Sequence, residues 1–327
     1  MRAMVLAAGL GKRLRPLTFD VPKPLAPVAN RPVMEHILAL LERQGHREVI
    51  ANLSHLGDRI RERFGDGSAW GVELSYSEEP ELLGTAGGVG NVSDFLTGGE
   101  SDSFLVISGD ALTDIDLGAM RVAHESHGGI ATLATKKVAD TREYGVVIHG
   151  SDGRVEGFQE KPDPAEALSD LGNCGIYMFR REIFDHFPDR AFVDWATDVF
   201  PALLETDTSF FVHEIDEYWN DIGSLDEYRR GNFDALAGLV DVAIEGDEIA
   251  AEVRSQGDAG VSDDAELTGP ILLGPGCEIG SGAWVHGPAV LGGGARIAPG
   301  AKLREAVVLP DARVPEDAVL AGAVVAG

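Results

Sequence analysis

Residues able to handle phosphate gather at the opening of the chain. Leu6-Ala7-Ala8-Gly9-Leu10-Gly11-Lys12-Arg13-Leu14-Arg15-Pro16-Leu17-Thr18 is followed by Val21-Pro22-Lys23-Pro24-Leu25. A short apolar run feeds a glycine-containing loop, and cations follow at once. Glycine has no Cβ, so loop amides can approach phosphate oxygens closely. Lys12, Arg13 and Lys23 then supply countercharge. The pattern points to a nucleoside triphosphate site at the first strand–loop junction. It is not a Walker loop, because Arg13 stands where Ser or Thr must follow the lysine. It is not the dinucleotide fingerprint either, because Leu14 occupies the place of the third glycine.

Two aspartates complete the chemistry. Asp110 closes Ser108-Gly109-Asp110, and Asp221 lies within Trp219-Asn220-Asp221-Ile222-Gly223. Each ends an apolar or aromatic run, which places a carboxylate on rigid scaffold. Magnesium on a triphosphate takes carboxylate oxygens together with phosphate oxygens and water. Asp110 and Asp221 are therefore the expected metal ligands, with Mg2+ as the cofactor.

The opening motif resembles that of the sugar-1-phosphate nucleotidylyltransferases. The resemblance recurs in order at Leu83-Gly84-Thr85-Ala86-Gly87-Gly88, Ser108-Gly109-Asp110, Glu143-Tyr144-Gly145-Val146-Val147, Phe158-Gln159-Glu160-Lys161-Pro162, Asn173-Cys174-Gly175-Ile176-Tyr177 and Trp219-Asn220-Asp221-Ile222-Gly223. It covers nearly the whole chain and looks most like mannose-1-phosphate guanylyltransferases with a C-terminal left-handed β-helix.

The resemblance implies transfer of a nucleotidyl group to a sugar 1-phosphate, with pyrophosphate leaving. The attacking phosphate is already anionic near neutral pH, so the enzyme must hold two anions together and neutralise charge. Arg13 is expected on the triphosphate, Lys23 at the α-phosphate and Lys161 on the sugar phosphate. Leu6, Ala7, Ala8, Gly9, Gly11, Gly84 and Thr85 are expected around the nucleotide. Tyr144, Gly145, Glu160 and Asn173 are expected around the sugar. A carboxylate from Glu78 or Glu79 suits the N1–H and N2–H₂ donors of guanine and repels the O4 of uracil. That leans toward GTP, and the resemblance implies mannose 1-phosphate as its partner. A UTP- or dTTP-dependent glucose-1-phosphate enzyme is the alternative, and a non-catalytic sugar-nucleotide-binding regulatory subunit is the alternative of another class.

The elements that must position these groups are legible in outline. Apolar runs at Ala3–Leu6, Glu48–Leu53, Val72–Ser77 and Ser103–Ile107 read as strands. Helical patterns at Val33–Gln44, Asp58–Phe64 and Leu117–His127 separate them. That alternation predicts an α/β, Rossmann-like sheet with ligands beyond the strands' carboxyl ends. From Ile130 onward, short β-rich runs (Ile130–Thr135, Tyr144–His149, Arg154–Gln159, Ile176–Phe179, Phe210–Glu214) make the sheet mixed, with helices near Arg181–Phe187, Ala191–Leu204 and Ser224–Leu239. The nucleotidyltransferase domain is expected over residues 1–240, with the nucleotide site mainly in 1–130 and the sugar-phosphate site in 131–240.

Residues 241–327 form a second expected domain. Val261, Leu267, Leu273, Ile279, Val285, Leu291, Ile297, Leu303 and Leu309 recur every six residues, and the register then slips by one to Val314 and Leu320. A hexapeptide period with an inward aliphatic is the pattern of a parallel β-helix, here of three to four coils. His286 is the only histidine of this array, which favours an oligomerisation or regulatory surface, and a homo-oligomer, over an acyltransferase.

Composition bounds the partners. The net charge of −27, from 54 acidic against 27 basic residues, opposes nonspecific binding to nucleic acid or anionic membrane. Cys174 and Cys277 are too few for a disulfide framework, and Cys174 is expected to be packed rather than nucleophilic. No apolar run approaches a membrane span and no signal-peptide pattern opens the chain, so a cytoplasmic location is expected.

Overall fold

The computed structural model describes residues 1–326. In chain order the first elements are β1 (Ala3–Leu6), β2 (Pro27–Val28), β3 (Arg31–Pro32), α1 (Val33–Arg43), β4 (Glu48–Leu53), α2 (Gly57–Phe64), β5 (Glu73–Glu78), α3 (Gly84–Gly90) and α4 (Ser93–Thr97). There follow β6 (Ser103–Ser108), β7 (Leu112–Thr113), α5 (Leu117–His127), β8 (Ala131–Lys137), β9 (Gly145–His149), β10 (Val155–Glu160) and β11 (Leu171–Arg180). Then come α6 (Phe200–Glu205), β12 (Phe211–Glu214), β13 (Trp219–Asn220), α7 (Leu225–Leu236) and the short strands of the β-helix. Contacts divide the chain into two compact units: Met1–Leu10 with Ile37–Trp219, and Gly11–His36 with Asn220–Gly327. The boundary expected at residue 240 thus falls inside the second unit.

The first unit is built on one mixed sheet of order β10-β9-β11-β6-β1-β4-β5, with β8 joining β11 to β12. Strands β6, β1, β4 and β5 run parallel, as the strand–helix alternation predicts. Residues Ala3–Val5 and Val49–Leu53 are buried on both faces, bar a trace at Ile50, which explains why these strands read as continuous apolar runs. Strand β11 turns antiparallel against β6 and continues as a ten-residue strand past the site edge. Helix α5 begins where Asp116 accepts the Ala119 amide at 2.8 Å and ends at Gly128, φ 67.

One expectation in this unit needs correction. The helix expected over Ala191–Leu204 starts only at Trp195, as a π-helical turn to Val199 that leads into α6. The backbone before it is engaged elsewhere, since the Val193 carbonyl accepts the Ala86 and Gly87 amides at 3.0 and 2.9 Å. Helix α3, not foreseen, is the other side of that contact.

In the second unit, β2 and β3 form a hairpin. Helix α7 is opened by Ser224, which accepts the Glu227 amide at 3.2 Å. The β-helix carries three parallel sheets. Val261, Ile279, Ile297 and Val314 stack in one, and Leu267, Val285, Leu303 and Leu320 in the second. Ser255, Leu273, Leu291, Val308 and Val325 stack in the third. The slip therefore falls before Val308, one corner earlier than the six-residue series ending at Leu309 implies. Val308 fills the core with Ala306 and Ala312, while Leu309 lies outside it.

Histidine burial sets a pH dependence of folding. His124, on α5, is 1% exposed, with Nδ1 2.8 Å from Thr132 Oγ1 and Nε2 3.2 Å from Ser103 Oγ. Desolvation, reinforced by His127 and Arg180, pushes its imidazole from 6.5 down to about 4. His36, His46, His127 and His213 are lowered as well, mainly by burial. Between those two values the unfolded chain binds the proton and the folded chain does not, so stability falls as pH falls through this window. Urea unfolding should show His124 alone contributing a loss of about 3 kcal/mol between pH 7 and pH 4. His124→Gln should flatten the slope, and an unchanged slope would contradict the assignment.

Candidate active site

The first unit holds a cavity of ≈ 250 Å³ at the carboxyl ends of its parallel strands. Leu6, Ala8 and Gly9 wall it from the end of β1, Asn52 from β4, Glu79 from just beyond β5, and Ser108 and Asp110 from the end of β6. Gly84 and Thr85 of α3 close it opposite, with Leu82 and Phe192 at the rim. The volume lies below the roughly 300–1,000 Å³ that bury a whole drug-sized ligand, so it suits one part of a nucleotide.

The wall is fixed by a buried network. Asn52 Oδ1 accepts the Ala7 amide at 2.7 Å, and Asn52 Nδ2 donates to Glu79 Oε1 at 2.8 Å. Glu79 Oε2 accepts the Leu83 amide at 3.1 Å. Glu79 is 3% exposed, and these two donors satisfy oxygens that water does not reach. Of the two glutamates considered, Glu78 is excluded. It is exposed and pairs with Arg61 outside the cavity. Ala7 is buried behind the wall and contributes its amide rather than its surface.

Glycines set the shape of this cavity for different reasons. A Cβ at Gly84, φ +82, would lie 2.4 Å from the Val193 carbonyl, and one at Gly87 2.7 Å from that of Ala191. Gly84 and Gly87 thus let α3 dock flush on residues 191–193, and that docking holds Phe192, 56% exposed, at the rim. A Cβ at Gly9, by contrast, would meet no protein atom within 4 Å. Its open side faces free space at the cavity.

The residues expected around the sugar lie together on adjoining strands of the same unit. Gly145 on β9 pairs directly with Glu160 on β10, and Gly172, beside Asn173, pairs with Val146. Lys161 follows Glu160 at φ 45, its amide donates to the Tyr144 carbonyl at 3.1 Å, and its ammonium lies 3.5 Å from Glu160 Oε1. Asn173 donates to the Tyr177 hydroxyl at 2.9 Å, and the Tyr144 ring packs 5.3 Å from that of Trp219. Cys174 is 2% exposed and its thiol is pushed up by burial, which fits a packed residue rather than a nucleophile.

The second unit gathers the remaining charged residues. Gly11, φ 57, turns the loop and its carbonyl accepts the Thr18 hydroxyl at 2.7 Å. Lys12 is exposed, and Arg13 Nη2 reaches Asp221 Oδ2 at 3.3 Å. Lys23 is only 8% exposed, and its Nζ donates to the Asp221 carbonyl at 2.7 Å. Asp221 Oδ1 also accepts the Gly223 amide at 3.0 Å, which fixes its carboxylate.

Asn52, Leu82 and Phe192 are not singled out by the sequence, and Ser108 enters only as the opening of Ser108-Gly109-Asp110. Asn52 carried a signal, as the lone polar residue near the end of an apolar strand. Ser108 had one too, opening a recurring motif, whereas Leu82 and Phe192 lie in irregular segments with no periodicity.

The two glycines separate shape from stability. Gly84→Ala should cost about 3 kcal/mol by thermal unfolding, because both the backbone angle and the space forbid a side chain. Gly9→Ala should leave stability within about 1 kcal/mol yet abolish measurable nucleotide binding by calorimetry. Normal binding in Gly9→Ala would remove Gly9 from the site.

The sequence model of the nucleotidyl transferase family matches residues 2–237. The UTP–glucose-1-phosphate uridylyltransferase of Synechocystis is 36% identical over 316 residues, covering 87% of this chain and 81% of that protein. The mannose-1-phosphate guanylyltransferase of Mycobacterium tuberculosis is 36% identical over 282 residues, covering 86% and 77% respectively. The crystal structure of HddC from Yersinia pseudotuberculosis complexed with GMP-PN matches with a TM-score of 0.60 at 25% identity, over 71% of this chain and 97% of that one. On these matches, and on the site at its strand ends, the chain belongs to the nucleotidyl transferase family.

Proposed function

We propose that this protein transfers a guanylyl group from GTP to mannose 1-phosphate, releasing pyrophosphate. The guanylyltransferase and the GMP-PN complex among its relatives support that reading. The observation that carries the base assignment is Glu79. Two protein donors fix its carboxylate at the cavity wall, and an ionised carboxylate retains further lone pairs for the N1–H and N2–H₂ of guanine.

In the proposed step, a sugar-phosphate oxygen attacks the α-phosphorus of GTP. The new P–O bond forms as the bond to the β-phosphate oxygen breaks, and the electron pair leaves with pyrophosphate. No general base is needed. Arg13 grips the triphosphate, Lys23 faces the α-phosphate, Lys161 holds the sugar phosphate, and Tyr144, Gly145, Glu160 and Asn173 orient the sugar. Asp110 and Asp221 would hold magnesium. Among the described residues no three His, Cys, Asp or Glu side chains gather into a preformed metal cage, and a magnesium–nucleotide site asks only one or two carboxylates of the protein. Bound there, the ion supplies charge neutralisation at the α-phosphate.

A UTP-dependent glucose-1-phosphate reaction is the second reading, favoured by the Synechocystis relative. Glu79→Gln separates the two. It should lower the preference for GTP over UTP in kcat/KM by about tenfold or more, the worth of one charge-assisted hydrogen bond. An unchanged preference would contradict the base assignment. Asp110→Asn should lower kcat roughly 100-fold or more while nucleotide binding persists. Full activity in that variant would remove Asp110 from the reaction.

A further inference from the structure

Within the second unit, the segment that carries Lys23 rests on the β-helix. Lys23–Leu25 form a 3₁₀ turn, closed by the Ala26 amide on the Lys23 carbonyl at 2.9 Å, and the chain enters the β2–β3 hairpin directly. The hairpin turns at Ala29-Asn30, both left-handed, with φ 49 and 63. Two such residues make the tight turn that asparagine favours. At its tip, Asn30 Nδ2 donates to Gln256 Oε1 at 2.9 Å and to the Leu291 carbonyl at 3.1 Å. Both acceptors belong to the β-helix. Gln256 follows the strand Val253–Ser255, and Leu291 closes the strand Ala289–Leu291. Helix α7 braces the same hairpin, since the Ala29 amide donates to Asn232 Oδ1 at 2.9 Å and the Tyr228 hydroxyl to the Pro27 carbonyl at 2.5 Å.

One outward face of the β-helix is buried, and α7 packs on its strand Ala289–Leu291. Leu272, Val290 and Val307, the outward residues of the sheet to which Leu291 belongs, are 0%, 1% and 2% exposed. Glu278, Arg296 and Val319, outward on the other two sheets, are exposed. A domain serving only as an assembly surface needs no buried face within its own chain.

We infer that the β-helix seats the phosphate-handling loop, with Asn30 as a positioning residue that fixes Lys23 through Gln256 and the Leu291 carbonyl. The inference rests on the reading of Lys23 as a phosphate-handling group.

Three variants test it. Asn30→Gly keeps the left-handed turn and removes the donor. Gln256→Ala removes the acceptor, and Gln256→Glu restores one. Pyrophosphate release gives kcat and KM, and hydrogen–deuterium exchange follows residues 20–33. Asn30→Gly and Gln256→Ala should lower kcat about 10- to 100-fold, the scale of a 1 Å misplacement, with nucleotide KM shifted less than about threefold. Exchange in residues 20–33 should quicken in both, and Gln256→Glu should recover most of the loss. Wild-type kcat in Asn30→Gly and Gln256→Ala, or unchanged exchange, overturns the inference. If the unmodified protein releases no pyrophosphate, the reading of Lys23 falls, and exchange alone then decides whether the β-helix seats the loop.

Discussion

The buried side chain of Asn52 is the interaction on which the cavity at the strand ends depends. One amide group ties the end of β1 to the carboxylate of Glu79, and Glu79 in turn holds the entry to α3 through the Leu83 amide. Three separate stretches of backbone are thereby set at fixed spacing around one opening. A hydrogen bond to a charged group contributes about 1.5–3 kcal/mol, and an unpaired buried carboxylate costs more than that. The network is therefore stable only when complete. Such all-or-none satisfaction suits a site that must present donors and acceptors at fixed angles.

The second unit solves a different problem. Its charged groups are long and flexible, and the chain as a whole is strongly acidic at −27. Cations in so acidic a chain must be restrained or they pair with whichever carboxylate is nearest. Lys23 is restrained by burial between prolines and by the Asp221 carbonyl, and Asp221 by the Gly223 amide and Arg13. Underneath, the coiled array supplies a rigid floor, because each rung repeats the inward aliphatic and the small residue before it.

Much of this was legible in the sequence where one physical signal dominated. Strands β1, β4 and β6 and helices α1 and α5 follow from apolar periodicity with clear ends, such as Asp116 before α5 and Gly128 after it. Helix α3 was hidden, because Gly84-Thr85-Ala86-Gly87-Gly88-Val89-Gly90 opposes helix propensity by about 1 kcal/mol per glycine. Close docking on Val193 and Ala191 requires Gly84 and Gly87, and Gly88 leaves room for Glu79 and Asn52, none of which is a local property. The hexapeptide slip is displaced because Val307-Val308-Leu309 offers three buried aliphatics in a row, and only the strand register shows that Val308 points into the core. Glu78 and Glu79 pose the same ambiguity of one residue at the end of β5, and alternation does not resolve it, because Glu78 shares a face with buried Leu74 while Glu79, just beyond the strand, is the buried glutamate. The candidate site was legible as motifs, whereas Asn52, Leu82 and Phe192 act through contacts made far along the chain.

The measurement closest to the central claim is pyrophosphate release from GTP, UTP, dTTP and CTP, each against mannose, glucose, N-acetylglucosamine and galactose 1-phosphates, with and without magnesium. The account predicts one dominant, magnesium-dependent combination, GTP with mannose 1-phosphate. A dominant UTP or dTTP combination would keep the transfer chemistry and overturn the role given to Glu79. No release from any combination, with sugar nucleotides still bound, would contradict the catalytic account and leave a binding protein.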